Sequence, residues 1–158
     1  MTTKDMERLL FKHFKKIGTY MCSEVSVPKS FEKKMHRQRV DWLIYEPKSD
    51  IFRGFELKLT KQDFHSSAAH TFIYNYNYYL MPYSLFQEIE EEIPDFVGVW
   101  VCYDSSMDIQ CIKRPKKQKL QCNHDDLLFS MFQSLSREFN KQKIMEFGLK
   151  TTKKGKIK

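Results

Sequence analysis

Glycine and proline are scarce, five of each in 158 residues, which excludes a collagen-like or linker-dominated chain. No apolar run approaches the ~20 residues needed to cross a bilayer, and Met1 to Glu7 is charged, without the apolar core of a leader. The expectation is a soluble, untargeted protein, cytoplasmic or nucleoid-associated, with no membrane partner. Four cysteines, Cys22, Cys102, Cys111 and Cys122, stand far apart with no C-x-x-C pair, so reduced thiols are expected rather than a disulfide framework. The same spacing speaks against an iron–sulfur cluster. A zinc site from Cys111, Cys122 and His124 lacks a fourth ligand. Phosphate-loop, nucleophile-elbow and H-E-x-x-H patterns are all missing, and no internal repeat is present.

What the chain does have is apolar and basic. Hydrophobic residues make up 41% and aromatics 15%, enough for one folded domain, expected over residues 1–148 with a basic, disordered tail at 149–158. The formal charge is +7, and the pI near 9.2 points to a polyanionic partner.

Periodicity assigns the elements. Met6, Leu9, Leu10, Phe14 and Ile17 recur at helical spacing over Lys4 to Ile17, with Gly18 as the stop. Tyr20 to Val27 reads as a strand ending at Pro28, followed by a basic loop from Lys29 to Gln38. Arg39 to Tyr45 and Gly54 to Leu59 read as adjacent antiparallel strands joined through the turn chemistry of Glu46 to Asp50. Thr60 and Asp63 have capping-box spacing and open a helical or irregular segment through His70; Ser84 and Gln87 repeat the pattern for a short helix to Ile93. Between them, the second half of Phe72 to Tyr83 reads as a strand. Val97 to Tyr103 and Ile109 to Lys113 form a hairpin, and Asn123 caps a last helix whose stripe holds Leu127, Leu128, Met131, Phe132, Leu135 and Phe139 and which ends near Gly148. Helix, three strands, helix, strand, helix, strand pair, helix is an α/β order.

One constellation carries chemistry. On a strand, Glu56 and Lys58 share a face while Phe55, Leu57 and Leu59 share the other. Asp41, flanked by Val40 and Trp42, stands beside Glu56 if the two strands pair. Two carboxylates repel unless a hard cation lies between them, and Mg²⁺ takes one or two carboxylates with water and substrate phosphate. A lysine alongside orients a nucleophile or stabilises developing charge. The plain alternative is a solvated Glu-x-Lys surface pair. Glu7 shares a helix face with Leu10, Phe11 and Phe14; it serves either as a third acid at the site or as an ordinary first-turn carboxylate favoured by the helix dipole.

Glu7, then Asp41, then Glu56-Leu57-Lys58 resembles the PD-(D/E)XK nuclease superfamily. Arg39-Val40-Asp41, Glu56 through Phe64, Tyr78 to Pro82 and Ile93 to Val99 are similar to its MmcB-like DNA-repair branch, over most of Met6 to Lys113. That resemblance implies a central mixed β-sheet flanked by helices with a restriction-endonuclease-like core, Asp41, Glu56 and the Leu57 carbonyl around Mg²⁺ or Mn²⁺, Glu7 as an outer acid, and Lys58 as the catalytic lysine. It implies a DNA hydrolase in repair, recombination or the biology of a phage or mobile element. Val40 stands where the namesake pattern has proline, and the lysine-rich extension also departs from it. The alternatives are a nuclease-fold module that binds DNA without cutting, and a protein-interaction domain.

Arg37, Arg39 and Lys61 flank the acids, and Lys113, Arg114, Lys116, Lys117 and Lys119 pack five positive charges into seven residues. They are the expected contacts to DNA, single-stranded or branched, although a basic run is also an ordinary solubilising loop. The tyrosines of 74–79 offer either base stacking or, as the preferred reading, core packing. A homodimer is compatible with the sequence, which does not specify one.

Overall fold

A computed structural model describes residues 1–28, 38–66 and 72–149. In chain order the elements are α1 (Thr3–Phe14), β1 (Tyr20–Ser26), β2 (Arg39–Glu46), β3 (Ile51–Leu57), α2 (Lys61–Phe64), β4 (Tyr76–Pro82), α3 (Tyr83–Ile89) with a 3-10 turn at Glu90–Glu92, β5 (Gly98–Tyr103), β6 (Asp108–Lys113) and α4 (His124–Glu146). The α/β class and the element order match the sequence-based expectation. His36, Arg37, His70 and the lysines of 150–158 lie outside the described residues.

The six strands form one mixed sheet in the order β1-β2-β3-β4-β5-β6. The outer pairs are antiparallel, while β3-β4 and β4-β5 are parallel. Parallel neighbours need crossovers, and α2 and α3 lie in the two connections. One face buries Ile44, Phe55, Leu57, Tyr78 and Leu80 beneath Met6, Leu9 and Leu10 of α1. The other face carries Cys22, Leu43 and Phe52 under Leu127 and Met131 of α4, then Tyr79, Met81, Val99 and Val101 under α3. No helix among the described residues is long and apolar enough to cross a membrane.

Several boundaries move for local reasons. Helix α1 begins two residues after Met1 because Thr2 and Asp5 form a capping box, Asp5 N–H to Thr2 Oγ1 at 3.2 Å and Thr2 N–H to Asp5 Oδ2 at 2.9 Å. It stops at Phe14, where Lys15 turns extended, so Ile17 leaves the apolar stripe and is fully exposed. Ser84 and Gln87 form no cap; extended Pro82 starts α3 at Tyr83 instead. Thr60 does cap α2, and Asn123 caps α4 through the N–H groups of Asp125 and Asp126 at 2.9 and 3.0 Å. The stripe of α4 divides: Leu127 and Met131 are buried, but Phe132, Leu135 and Phe139 face outward. The tyrosines follow the packing reading, since Tyr74, Tyr78 and Tyr79 are buried and Tyr76 stacks under the Arg53 guanidinium at 4.7 Å.

Candidate active site

Strands β2 and β3 pair from Glu46 and Ile51 up to Trp42 and Phe55. One step further along that register sets Asp41 opposite Glu56. The ladder ends there, and Asp41 fills the gap with its side chain: Oδ2 accepts the Leu57 N–H at 2.7 Å. That bond belongs to the strong, charge-assisted kind and fixes the carboxylate at the end of the two strands.

Regular alternation does not hold at this end of β2. Val40 joins the α4-side core, whereas Trp42, two residues on, packs with the α1-side cluster. The flanking pair therefore does not share a face, as strict alternation expects. Across the ladder, β1 compensates at Glu24, which sits in the left-handed region at φ 54 between Ser23 and Val25, directly across from Asp41 in the register. Such a conformation is uncommon outside glycine and asparagine. It is held by Arg137, whose Nη2 donates to the Glu24 carbonyl at 2.8 Å. The Glu24 side chain meets Arg39 at 3.5 Å.

Lys58 lies one residue past β3, still bonded through its N–H to the Leu80 carbonyl at 3.0 Å. Its Nζ donates to the Asp63 carbonyl at 3.4 Å and stands 3.9 Å from the Asp63 carboxylate, whose other oxygen takes the Leu59 N–H at 3.1 Å. Asp63 thus clamps the lysine from the first turn of α2. Glu56 and Lys58 are buried, and Asp41 is half-buried. Burial pushes the Asp41 carboxyl above its ordinary value; the Leu57 N–H and Lys58 oppose that rise, while Glu24 and Asp63 add to it.

Asp41, Leu57 and Lys58 are therefore brought together with Asp63 and Glu24, and Glu56 precedes Leu57 on β3, where its charge acts on Tyr74 and Tyr79. Glu7 is not brought to them by any bond. Its Oε1 accepts the Trp42 Nε1–H at 3.4 Å, on the α1 side of the sheet. Glu24 has no role in the sequence reading, and Asp63 has only that of Thr60's capping-box partner. The pairing of β1 with β2 would have pointed to Glu24, but the segment between those strands is long. Asp63 had a signal of its own, five residues after Lys58 and three after a capping threonine.

The basic residues divide. Arg39 and Lys61 are exposed beside the acids. Lys113 instead donates to the carbonyls of Ile93 and Pro94, both at 3.1 Å, and the following segment is stitched to Phe96, Asn75 and Ile73 by the N–H groups of Lys116, Gln118 and Gln121. Those anchors precede β4 and β5, but the register runs from Glu56 to Tyr79, from Tyr79 to Val99 and from Val99 to Lys113, so the Lys113 backbone is level with Glu56 and three strands across from it. At about 4.8 Å between neighbouring strands that is roughly 14 Å across the sheet. Arg114, Lys117 and Lys119 are exposed there, and Lys116 reaches Asp95 at 3.5 Å. They form a separate positive surface.

For a divalent cation the donor chemistry is two carboxylates, Asp41 and Glu56, with the carbonyl of Leu57, the residue after Glu56. Among the described residues no group of three or more His, Cys, Asp or Glu side chains converges as a metal cage. The set suits an ion that keeps water and takes its remaining ligands from a phosphate. Burial first, and Glu24 and Asp63 after it, raise the Asp41 carboxyl, and a cation bound there would oppose that rise. The cysteines take no part: all four are free, and burial pushes Cys22 and Cys102 up to about 12 and Cys122 to about 11, as for packing groups.

No family model matches the sequence, and no curated protein matches it. A solved structure of a protein of unknown function from Silicibacter pomeroyi is similar to the whole fold, with a TM-score of 0.69 over 92% of this chain and 94% of that one. At 17% identity the likeness concerns the fold alone.

Proposed function

We propose that this chain is a metal-dependent nuclease of the PD-(D/E)XK kind, with a restriction-endonuclease-like core, cutting DNA phosphodiester bonds in repair, recombination or mobile-element biology. The observation that carries the reading is the Asp41 carboxylate pinned on the Leu57 N–H at 2.7 Å at the strand end that also presents Glu56 and Lys58. Asp41, Glu56 and the Leu57 carbonyl would hold Mg²⁺ or Mn²⁺. When bound, that ion supplies an acidified water and neutralises charge on the phosphate.

The chain's own groups do the rest. The Leu57 N–H orients Asp41, and Asp63 holds the Lys58 ammonium in place so that it faces developing negative charge without a search through rotamers. Arg39 and Lys61 are exposed to meet phosphate. Glu7 has no part in this arrangement.

A second reading, a nuclease-fold module that binds DNA without cutting, draws support from the burial of Lys58 and its engagement by Asp63. Labelled single-stranded, duplex, flap and four-way DNA incubated with Mg²⁺ or Mn²⁺ separates the two. Product from the parent but from neither Asp41→Ala nor Lys58→Ala supports the enzyme. Salt-sensitive binding without product, unchanged in Lys58→Ala, supports the module. Equal product from all three proteins refutes the site.

A further inference from the structure

Helix α4 has more apolar surface than the sheet covers. Phe129, Phe132 and Phe139 are 61%, 68% and 56% exposed, Leu135 is 42% exposed, and Tyr20 of the edge strand β1 beside them is 56% exposed. Tyr20, Leu128, Phe132 and Leu135 wall one continuous groove, and Phe129 and Phe132 flank a second depression over the small Ser136. At roughly 200 Å² per aromatic side chain this amounts to roughly 500 Å² of apolar surface per chain, the size of the largest patch on an ordinary monomer.

We infer that this face is where a second copy of the chain docks, α4 against α4 in antiparallel, two-fold fashion. Area is the first argument. Two such patches closed on each other remove roughly 1,000 Å² from water before any polar rim is counted, which reaches the range of specific interfaces. Self-complementarity is the second. Leu128, Phe132, Leu135 and Phe139 repeat at steps of four, three and four residues, the spacing of a helix-on-helix seam, and Ser136 between the phenylalanines leaves room for a partner's ring. Charge is the third: the first turn of α4 carries Asp125 and Asp126, and the last turn offers Lys143, which in the single chain pairs with Glu146 at 2.7 Å. Antiparallel docking sets Asp125 of one chain beside Lys143 of the other, whereas parallel docking would set like charges together.

Sedimentation and light scattering across micromolar concentrations test this on the full chain. Dimer mass, twice 19.1 kDa, is expected for the parent. Phe132→Glu, at an exposed position, is expected to raise the dimer dissociation constant about tenfold or more while leaving the unfolding midpoint unchanged at concentrations where both proteins are monomeric. Asp125→Lys and Lys143→Asp are each expected to weaken the dimer and together to restore it. A parent at monomer mass throughout overturns the inference, and so does a dimer indifferent to Phe132→Glu and to both charge reversals. A monomer that instead binds lipid vesicles through the same phenylalanines overturns it too.

Discussion

Gly54→Ala is the sharpest test of how the candidate site is held, because two effects of opposite sign meet there. In a strand, replacing glycine with alanine ordinarily stabilises by about 0.4–1 kcal/mol through the unfolded chain. Here a Cβ on Gly54 falls 2.2 Å from Tyr74 Cδ2 and 2.6 Å from Cε2. Carbons in contact sit about 3.5–4.0 Å apart, so the ring must retreat by more than about 1 Å. It has nowhere easy to go: Tyr74 is fully buried, and its backbone is clamped by Asn77, which accepts its N–H at 3.2 Å and donates to its carbonyl at 3.0 Å. Overpacking of this kind costs about 1–3 kcal/mol. The upper half of that range applies, for a net loss of about 1–2 kcal/mol. Urea titration followed by circular dichroism reads the change as a lower midpoint at unchanged slope. In a Tyr74→Leu background the loss is expected to shrink, since neighbours that share a clash do not add. A Gly54→Ala protein as stable as the parent, or more so, refutes the reasoning.

Three further outcomes follow. The Tyr74 hydroxyl is buried without a partner, so Tyr74→Phe is expected to be neutral or stabilising by up to about 1–3 kcal/mol in the same titration. Asn123→Ala removes both capping acceptances at the start of α4 and is expected to cost about 1 kcal/mol, read as a lower urea midpoint. His124 is raised above its usual value by its bond to Asp125 and then by Asp50. Its stabilising contribution is therefore complete below the unfolded histidine's pKa, near 6.5, and lost as pH rises through the higher folded value. His124→Gln is expected to flatten that part of the stability–pH curve, and an unchanged slope contradicts the assignment.

How much of this could be seen in the sequence divides by range. Short-range chemistry was legible: Asn123 and Thr60 cap the helices they were expected to cap, and Glu46 to Asp50 turns β2 back onto β3 in the register that sets Asp41 against Glu56. Context defeated other local patterns. Ser84 and Gln87 lose to the extended Pro82, and Ile17 loses to the break at Lys15. Alternation along β2 fails at Asp41 because the compensating residue, Glu24 in a left-handed conformation, lies on another strand. Sheet order decides where the basic run sits, and nothing in 113–119 announces that β6 will lie three strands from β3 with Lys113 consumed by the carbonyls of Ile93 and Pro94. The stripe on α4 read as one core face because periodicity reports apolarity, not what covers it.

Burial also sets an opposition between stability and the proposed chemistry. The Asp41 carboxyl is raised by desolvation, so its ionised form destabilises the fold above the ordinary carboxylate range. Asn at this position keeps an oxygen for the Leu57 N–H and removes the charge. Asp41→Asn is therefore expected to be more stable than the parent at neutral pH by chemical denaturation. A less stable variant contradicts that reading.

Calorimetric titration of Mn²⁺ into the parent, Asp41→Asn and Glu56→Gln at neutral pH, with Glu7→Gln alongside, decides whether Asp41 and Glu56 hold a cation. One site is expected in the parent, retained in Glu7→Gln and lost in both of the others. Equal Mn²⁺ binding by all four proteins, or binding lost only with Glu7, would contradict that expectation.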